Sequence, residues 1–484
     1  MKNDHLGYLI AGLSLAVACG GDPNAPANGS GSTSATGGST SQGGSGGGVP
    51  EGGECAAFYP DDLAGYYAAP EGSAAGDGSE ANPWDLQTAL SAALAPGDTL
   101  WLRGGVYGGS FESSLTGESG AAITVRSYPG EWAVIDGGPS EEVTLSIKGA
   151  FAFYRDFEIT NTKTERYGNR AAGMNVTGKN LQLVNLMIHD TGNNGFWESA
   201  LDLELYGCLI YENGYDDSDR AHGHGVYTQN SAGRKHIVDN AIFNGYSFGI
   251  HAYTEGGHIE NYDIVGNIWF GSGIAAAGVD TRKDNCLVGG LQPAAGILLQ
   301  DNIGWAQGPT ARSVRLGYSD PANVDATLTG NFLVGATTFA TPWQSITMTG
   351  NTFFGPPTGV TVDDYPDNEY LTDPPAEPTV IVRPNQYEPG RAHVAVFNWH
   401  EADTVSVDLG DLMPIGMSYE IRNIQDYFGD AVVAGIYDGK PISLPMDLEP
   451  VQPVGVPDAI ADSEKTGKRF NAFVVLPQRC LPGQ

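Results

Sequence analysis

The chain is poor in basic residues. Only 24 Lys and Arg stand against 57 Asp and Glu in 484 residues, which gives a formal net charge of -33. A field of this sign repels phosphate backbones and anionic lipids, so it excludes nucleic acid as a partner held by charge. Charged residues of all kinds make up 17 % of the sequence while glycine reaches 68, a balance that favours a turn-rich β protein over a helical one.

Long apolar runs are scarce as well. The run from Leu6 to Ala18 is too short to anchor the chain across a bilayer permanently. It follows Lys2 and ends in Leu-Ala-Val-Ala-Cys, which resembles a bacterial lipoprotein cleavage box. Residues 1–19 are therefore predicted to be an export signal with a lipid on Cys19, and simple secretion is the alternative. We expect a lipid-anchored protein at the bacterial cell surface or periplasmic face, or else a secreted one.

Cysteine is rare too, with five residues in the chain. Apart from Cys19, the four remaining cysteines are Cys55, Cys208, Cys286 and Cys480, an even number that suits an oxidising compartment. Cys55 and Cys480 lie near the two ends of the predicted folded part, so a bridge between them is attractive, but the sequence leaves the pairing open. No Cys-x-x-Cys or His-Cys spacing indicates zinc.

Small and polar residues dominate residues 20–54, which cannot form a core and are predicted to be a flexible tether. Strand-like segments follow, with one short helix predicted from Pro83 to Ala95. Asp85 is its expected N-cap, and the helix is expected to cover the open end of a stack of coils.

A repeated pattern then runs from Asp156 to Asn351. An Asx or Gly residue followed by apolar residues recurs every 20 to 35 residues, the spacing of coils in a parallel β-helix with loops of variable length. The eight positions are Asp156, Asn185, Gly207, Asn240, Asn267, Asn302, Asn331 and Asn351. Asn suits them because it tolerates a left-handed turn and its amide can bond the equivalent group one coil away.

Three of the coil segments carry a family resemblance. Asn240-Ala-Ile-Phe-Asn-Gly, Asn267-Ile-Trp-Phe-Gly and His224-Gly-Val-Tyr resemble the coil signatures of right-handed parallel β-helix proteins of the pectate-lyase-like superfamily. The resemblance implies an all-β chain whose residues 55–365 form a right-handed parallel β-helix (solenoid) with an N-terminal cap. It leaves the chemistry open, because that superfamily holds lyases, hydrolases, epimerases and adhesins.

After a Pro-rich break, alternating strands in residues 376–484 predict a small antiparallel β-sandwich. It is similar to modules appended to secreted carbohydrate-active enzymes, for which packing or carbohydrate contact is the implied role.

Six short segments between Gly173 and Gly317 alternate apolar or small residues with polar ones, the period of a strand with one buried face. Stacked on one another, they predict two polar columns on one outer face. The first column is Asn175, Asp202, Tyr227, His251, Asp280 and Arg315, and the second is Thr177, Glu204, Gln229, Tyr253 and Arg282. This face is the predicted active surface.

The columns favour β-elimination from a uronic-acid polysaccharide. That reaction needs a cation for the sugar carboxylate, a base for the proton on carbon 5 and an acid for the leaving oxygen. The predicted carboxylate partner is Arg282 or Arg315, the base is His251, oriented by Asp280, and the acid is Tyr227 or Tyr253. The predicted substrate-binding residues are Asn175 and Gln229 in the columns and Lys163, Arg166 and Arg170 in a basic loop.

Two alternatives remain open. Asp202 and Glu204 lie two apart on one strand, a separation near the lower edge of the range for an inverting glycoside hydrolase, and an epimerase would use the same pair. A non-catalytic glycan-binding surface lipoprotein is the other alternative. By strand parity His224 points inward or into a corner, so packing explains it at least as well as catalysis, whereas His189 aligns with an aromatic stack and is predicted to be structural.

Calcium is the one candidate cofactor. Asp216, Asp217 and Asp219, with Glu212, offer clustered oxygen ligands, although a solvated acidic turn is the competing interpretation. The expected partner is an acidic polysaccharide, with the membrane reached through the lipid alone, and the chain is expected to be a monomer.

Overall fold

The computed structural model describes residues 52–60, 63–138, 140, 142–168, 170–276, 284–306, 312–319, 322–449, 451, 454–455 and 467–481. Cys19, the export signal and almost all of the predicted tether lie outside the described residues, as do Asp280 and Arg282. No helix among the described segments combines the length and apolar character that a membrane span requires.

Three long parallel sheets wind around a common core, each strand pairing with its equivalent in the next coil. Sheet A contains Tyr66–Ala68, Thr99–Leu102, Ile123–Ser127, Ala150–Arg155, Lys179–Val184, Leu201–Tyr206, Lys235–Val238, Ile259–Val265, Ala294–Gln300, Asn323–Thr329 and Trp343–Thr349. Sheet B contains Phe111–Ser113, Leu145–Ile147, Ala172–Val176, Gly192–Glu198, Val226–Thr228, Ile250–Ala252, Cys286–Val288, Arg312–Leu316 and Ala336–Phe339. Sheet C contains Gly105–Gly108, Ala133–Asp136, Glu158–Thr160, Met187–His189, Leu209–Tyr211, Ala241–Phe243, Ile268–Phe270, Ile303–Trp305, Phe332–Val334, Thr352–Phe354 and Glu369–Leu371.

This architecture confirms the predicted right-handed parallel β-helix. Its interior is filled by apolar residues that alternate with outward-facing ones along each strand, such as Leu181, Leu203 and Ile237 in sheet A. The last parallel strand is Glu369–Leu371, so sheet C continues past residue 365.

The turn between sheets A and C contains a ladder of asparagines. Asn240, Asn267, Asn302, Asn331, Asn351 and Asn368 stack in successive coils. Each side-chain amide donates to the next side-chain carbonyl at 2.7 to 3.1 Å. The predicted amide contact between coils is confirmed, and it satisfies polar groups that are buried inside the solenoid.

The left-handed residue, however, is a neighbour of the ladder asparagine in these coils. Asp239 and Asp301 have φ of 51° and 52°, and each directly precedes a ladder residue. Asp156 and Asn185 take the left-handed conformation themselves, so they align with Asp239 and not with Asn240. The predicted series was therefore wrong by one residue in its first coils, because Asn fits both the turn and the ladder.

A short helix at the N-terminal end, Leu86–Leu90, agrees with the prediction but is shorter. Asp85 accepts a hydrogen bond from the Thr88 amide at 2.9 Å, as an N-cap does. Leu86, Ala89 and Leu90 are buried in the solenoid core, so the helix covers its first coils.

Antiparallel strands follow the solenoid. Five of them form one sheet in the order Thr379–Pro384, Ala392–Phe397, Phe470–Pro477, Ser418–Asn423 and Val433–Ile436, and two form a second sheet, Thr404–Val407 with Ile442–Pro445. A further hairpin, Tyr215–Asp216 with Ala221–His222, projects from the solenoid, and 3-10 turns lie at Val362–Asp364, Gly410–Leu412, Ile424–Asp426 and Gly467–Arg469.

The five-stranded sheet packs on the outside of sheet C. Phe243, Phe270 and Trp305 of the solenoid share a buried cluster with Phe397 and Phe470. The predicted stack that begins at His189 is part of the same face, since the His189 and Tyr211 rings lie parallel with centroids 4.7 Å apart. The antiparallel strands therefore pack on the solenoid, and the implied carbohydrate contact stays a prediction.

A disulfide joins Cys55 to Cys480, whose Cα atoms are 5.0 Å apart. It ties the first described residues to the end of the five-stranded sheet. Cys208 and Cys286 are buried free thiols, and burial raises the pKa of Cys208 to about 12.

Candidate active site on sheet B

Sheet B presents a column of outward-facing side chains with mixed chemistry. Register partners in successive coils are Asn175, Trp197, Tyr227, His251, Leu287 and Arg315. The predicted adjacency of Tyr227 and His251 is therefore confirmed, and Asn175 and Arg315 belong to the same column.

Asp202 and Glu204 do not belong to this column. They lie in Leu201–Tyr206 of sheet A, and Trp197 stands between Asn175 and Tyr227 in sheet B. The predicted placement was wrong because Gly192–Glu198 alternates in the same way and enters sheet B one strand earlier. A hydrolase that uses Asp202 and Glu204 on the His251 face is therefore contradicted by the fold.

Leu287 occupies the rung that the sequence assigned to Asp280. The strand beside Ile250–Ala252 is Cys286–Val288, and Leu287 is the register partner of His251. Asp280 and Arg282 lie outside the described residues, so their predicted roles stay predictions.

His251 lies at the centre of an aromatic cluster. The residue is 7 % exposed, and its ring stacks on those of Phe248 and Tyr253, with centroid distances of 4.5 and 4.7 Å. The Tyr227 ring centroid lies 5.3 Å away. His251 Nδ1 is 3.1 Å from His224 Nε2, whereas His251 Nε2 has no hydrogen-bond partner in the described part of the chain.

The contact with His224 changes the interpretation of that residue. His224 is half-buried at the start of its coil, and its backbone amide donates to Asn194 Oδ1 at 3.0 Å. The side chain reaches the outward-facing His251 ring and so belongs to the candidate site, against the preference for an inward position.

His251 is held in its neutral form. Burial, together with the smaller effect of the positive charges of Arg220 and Arg315, lowers its pKa to about 3. Burial also raises the pKa of Tyr227 and of Tyr253, so both phenols keep their protons at neutral pH. Gln229 offsets part of the rise at Tyr227 through a side-chain hydrogen bond.

Two guanidinium groups from different elements act on His251 through their positive charge. Arg315 comes from sheet B and lies over the Tyr318 ring, 4.7 Å from its centroid. Arg220 comes from the projecting hairpin and is exposed. Since the charges of both act on His251, the site combines a neutral imidazole, phenols and two cations.

Sequence reasoning missed Arg220, Trp197 and Tyr318. Trp197 carried a signal, because it alternates with the buried Phe196 in a strand-like segment. Arg220 carried none, since its approach to His251 depends on the hairpin and not on strand periodicity.

The predicted basic loop does not form a substrate rim. Arg166 is buried, donates to the backbone carbonyls of Glu212 and Gly214 at 3.1 and 3.0 Å, and pairs with Asp190. Arg170 is buried as well, and burial lowers its pKa to about 10. Only Lys163 remains partly accessible, so the prediction was wrong for both arginines. Backbone carbonyls left over at the coil turns require donors, and the arginines supply them.

Glu204 has a structural environment. Gln182 and Gln386 donate to its carboxylate at 2.8 and 3.0 Å, and the Tyr387 hydroxyl donates to it as well. Two of these three donors come from the segment after the solenoid. The Glu204 carboxylate therefore connects sheet A to that segment through hydrogen bonds.

The acidic turn brings together a different set from the predicted one. Asp217, Asp219 and His222 place ligand atoms within 4.8 Å of one another, whereas Glu212 is buried elsewhere and Asp216 is not part of the group. His222 Nε2 already lies 3.0 Å from Asp219 Oδ1. Calcium prefers six to eight oxygen ligands, and the two carboxylates of this group would supply only part of that set.

Comparisons with known proteins agree with this architecture. Residues 66–245 match the family model described as Pel9A-like, right handed beta helix region. This match, which spans about a third of the chain, supports a pectate-lyase-like right-handed β-helix protein.

Curated relatives resemble parts of the chain. It is 23 % identical over 261 residues to pectate lyase L of Paenibacillus polymyxa (strain SC2), which covers 52 % of each chain. It is 29 % identical over 142 residues to a pectate disaccharide-lyase of Dickeya chrysanthemi, covering 29 % of this chain and 16 % of the relative. The chain thus spans about half of the first relative and much less of the second.

Among solved structures, a rhamnogalacturonan lyase matches at 14 % identity and a TM-score of 0.45, covering 63 % of this chain and 86 % of its own.

Proposed function

We propose that this protein is a polysaccharide lyase that cleaves a uronic-acid-containing glycan by β-elimination on the outer face of sheet B. The observation that carries the proposal is the packing of Tyr227, His251 and Tyr253 into one cluster. The positive charges of Arg220 and Arg315 lower the pKa of His251 in this cluster. The names of the two curated relatives, both lyases of pectate, support the same reaction class.

The two arginines are the proposed partners of the sugar carboxylate. A uronate proton on carbon 5 becomes more acidic when cations stabilise the negative charge that develops on the adjacent carboxylate. Arg315 and the exposed Arg220 supply that charge in a chain whose overall field is negative.

His251 is the proposed base, and substrate binding activates it. In the free protein its low pKa makes it a weak base, partly because Arg220 and Arg315 repel a proton. A carboxylate bound to both arginines cancels that repulsion and raises the basicity of the imidazole. The unpartnered Nε2 is the proton acceptor, and because it is enclosed, the substrate must displace a ring of the cluster to reach it.

Tyr227 and Tyr253 are the proposed acids for the leaving oxygen. Their raised pKa values keep the phenolic protons in place until the glycosidic bond breaks. Asn175 and Gln229 lie along the same face and are proposed to bind neighbouring sugar residues.

Export and lipidation of Cys19 belong to the same proposal, since a polymeric glycan has to be met outside the cell. Labelling with a radioactive fatty acid in the expressing bacterium tests this. A labelled wild-type chain and an unlabelled Cys19→Ser chain are expected, whereas equal labelling of both would contradict the anchor.

The activity is tested with a panel of uronate polysaccharides, by following the ultraviolet absorbance of the unsaturated product. We expect absorbance to rise with at least one member of the panel. New reducing ends without that absorbance would replace the lyase by a hydrolase. Retained binding with neither signal would make the protein a glycan-binding surface protein.

A further inference from the structure

A second groove lies on sheet A, away from the sheet B column. Its volume is about 480 Å³, within the range of small-ligand sites. Residues from several successive coils line it, including Glu118, Phe151, Asn180, Asp202, Arg234 and His236. The groove therefore runs across the strands, as a bound oligomer would.

Three successive coils place a left-handed, non-glycine residue in this groove. Phe151, Asn180 and Asp202 have φ of 48°, 52° and 52° and lie side by side in the register of sheet A. In the coil that follows, Asp202 aligns with Arg234, and the left-handed residue is the preceding Gly233, with φ of 66°.

Asn and Asp tolerate this conformation, but for a bulky residue such as Phe it is a costly outlier. Backbone outliers of this kind cluster at functional sites, where the function of the side chain outweighs the energetic cost of the strained conformation. Phe151 thus places its ring in the groove at a position where a glycine would remove the backbone strain.

The charge of the groove selects against a uronate. Arg234 and His236 both pair with Asp263, which leaves the carboxylates of Glu118, Asp202 and Glu204 as the dominant charges. Asn180 makes no side-chain hydrogen bond to any described residue and can donate or accept.

We propose that the sheet A groove binds a neutral glycan. Sugar hydroxyls both donate and accept hydrogen bonds, so carboxylates, an amide and a guanidinium suit them. The apolar face of a sugar ring packs on an aromatic ring, here Phe151. The three left-handed residues span about 10 Å across strands 4.8 Å apart, which accommodates about two sugar residues. The inference does not depend on lyase activity, since it concerns another face of the solenoid.

Isothermal titration calorimetry with xylohexaose, galactohexaose and arabinohexaose tests the proposal, with hexagalacturonate as the charged comparison. At least one neutral probe is expected to bind the wild-type chain. Phe151→Gly is expected to weaken that binding about tenfold, the effect of removing an aromatic contact. The variant should melt at or above the wild-type temperature, because glycine accepts the left-handed backbone.

Asn261→Gly is the matched control. Asn261 is left-handed with φ of 58° on the same sheet but does not line the groove, so its variant should bind the probe normally. Asn180→Gly provides a second groove variant should Phe151→Gly fold poorly, and it should weaken binding as well. Binding of no neutral probe, equal binding by the groove variants, or displacement of the neutral probe by hexagalacturonate would each overturn the proposal.

Discussion

His251 Nδ1 lies 3.1 Å from His224 Nε2, although the two rings come from different segments of the chain. One imidazole donates in this contact and the other accepts, which a pair of neutral rings can do. Because the pKa of His251 is lowered to about 3, the ring remains neutral throughout the physiological range. His224 therefore orients His251 and sets which of its nitrogens is available to a substrate.

Replacing His251 tests its role as the base. His251→Ala is expected to lower kcat by about 10² to 10⁴, the usual contribution of general acid–base catalysis. His224→Ala should lower kcat less and shift the pH profile, since it removes only the orienting contact. Rates of unsaturated product formation across pH measure both effects. His258→Ala, an exposed residue that pairs with Glu260, is the control and should retain wild-type rates.

Removing positive charge near His251 should raise its pKa. Arg220→Gln and Arg315→Gln each delete a cation that repels the imidazolium, so the pKa should move upward from about 3. NMR titration of the His251 ring measures this shift without any substrate. The same variants should raise KM for a uronate glycan. An unchanged pKa in both variants would contradict the electrostatic account, and Arg469→Gln, an exposed residue paired with Glu401, should have no effect.

His189 should make the fold sensitive to alkaline pH. Burial opposes its charge, but hydrogen bonds to Asp190 and Glu158 outweigh burial and raise its pKa to about 10. A raised pKa adds stability that is complete below the unfolded value of about 6.5 and disappears as pH rises through about 10.

Denaturant unfolding between pH 6 and pH 10 measures this contribution. The free energy of unfolding of the wild-type chain should fall across that interval. His189→Gln should be less stable at pH 6 and show a flatter dependence. Parallel curves for the two proteins would contradict the assignment.

Loss of the Cys55–Cys480 disulfide should destabilise the protein without affecting the site. The bridge closes a loop with a sequence separation of 425, and cross-links of long loops contribute about 2–5 kcal/mol. The Cys55→Ser and Cys480→Ser double variant should therefore melt at a lower temperature. A reducing agent should lower the melting temperature of the wild-type chain towards that of the double variant and leave the variant itself unchanged.

Strand and coil periodicity were readable from local sequence. The alternation in Gly225–Gln229 and Gly249–Tyr253 predicted adjacent rungs for Tyr227 and His251, and the structure confirms them. The asparagines from Asn240 onward likewise predicted contacts between coils. Such features repeat with the period of the backbone, so they are visible without knowing which coil touches which.

The local sequence did not show to which of the three sheets a strand belongs. Ala200–Glu204 alternates as the sheet B segments do, yet it belongs to sheet A, because Gly192–Glu198 had already completed the sheet B strand of that coil. Alternation of apolar and polar residues shows that one face of a strand is buried. It does not show to which of the three sheets the strand belongs.

The sequence by itself determined the β-helix, its asparagine ladder and the central pair of the candidate site, since each follows from local periodicity. Only the tertiary structure decided that Arg166 and Arg170 are buried, that Glu204 contacts Tyr387, and that Arg220 and His224 approach His251. Those outcomes depend on where loops of unequal length pack against the solenoid. The packing of the loops determines which side chains are buried at the site and which charges lie close to it.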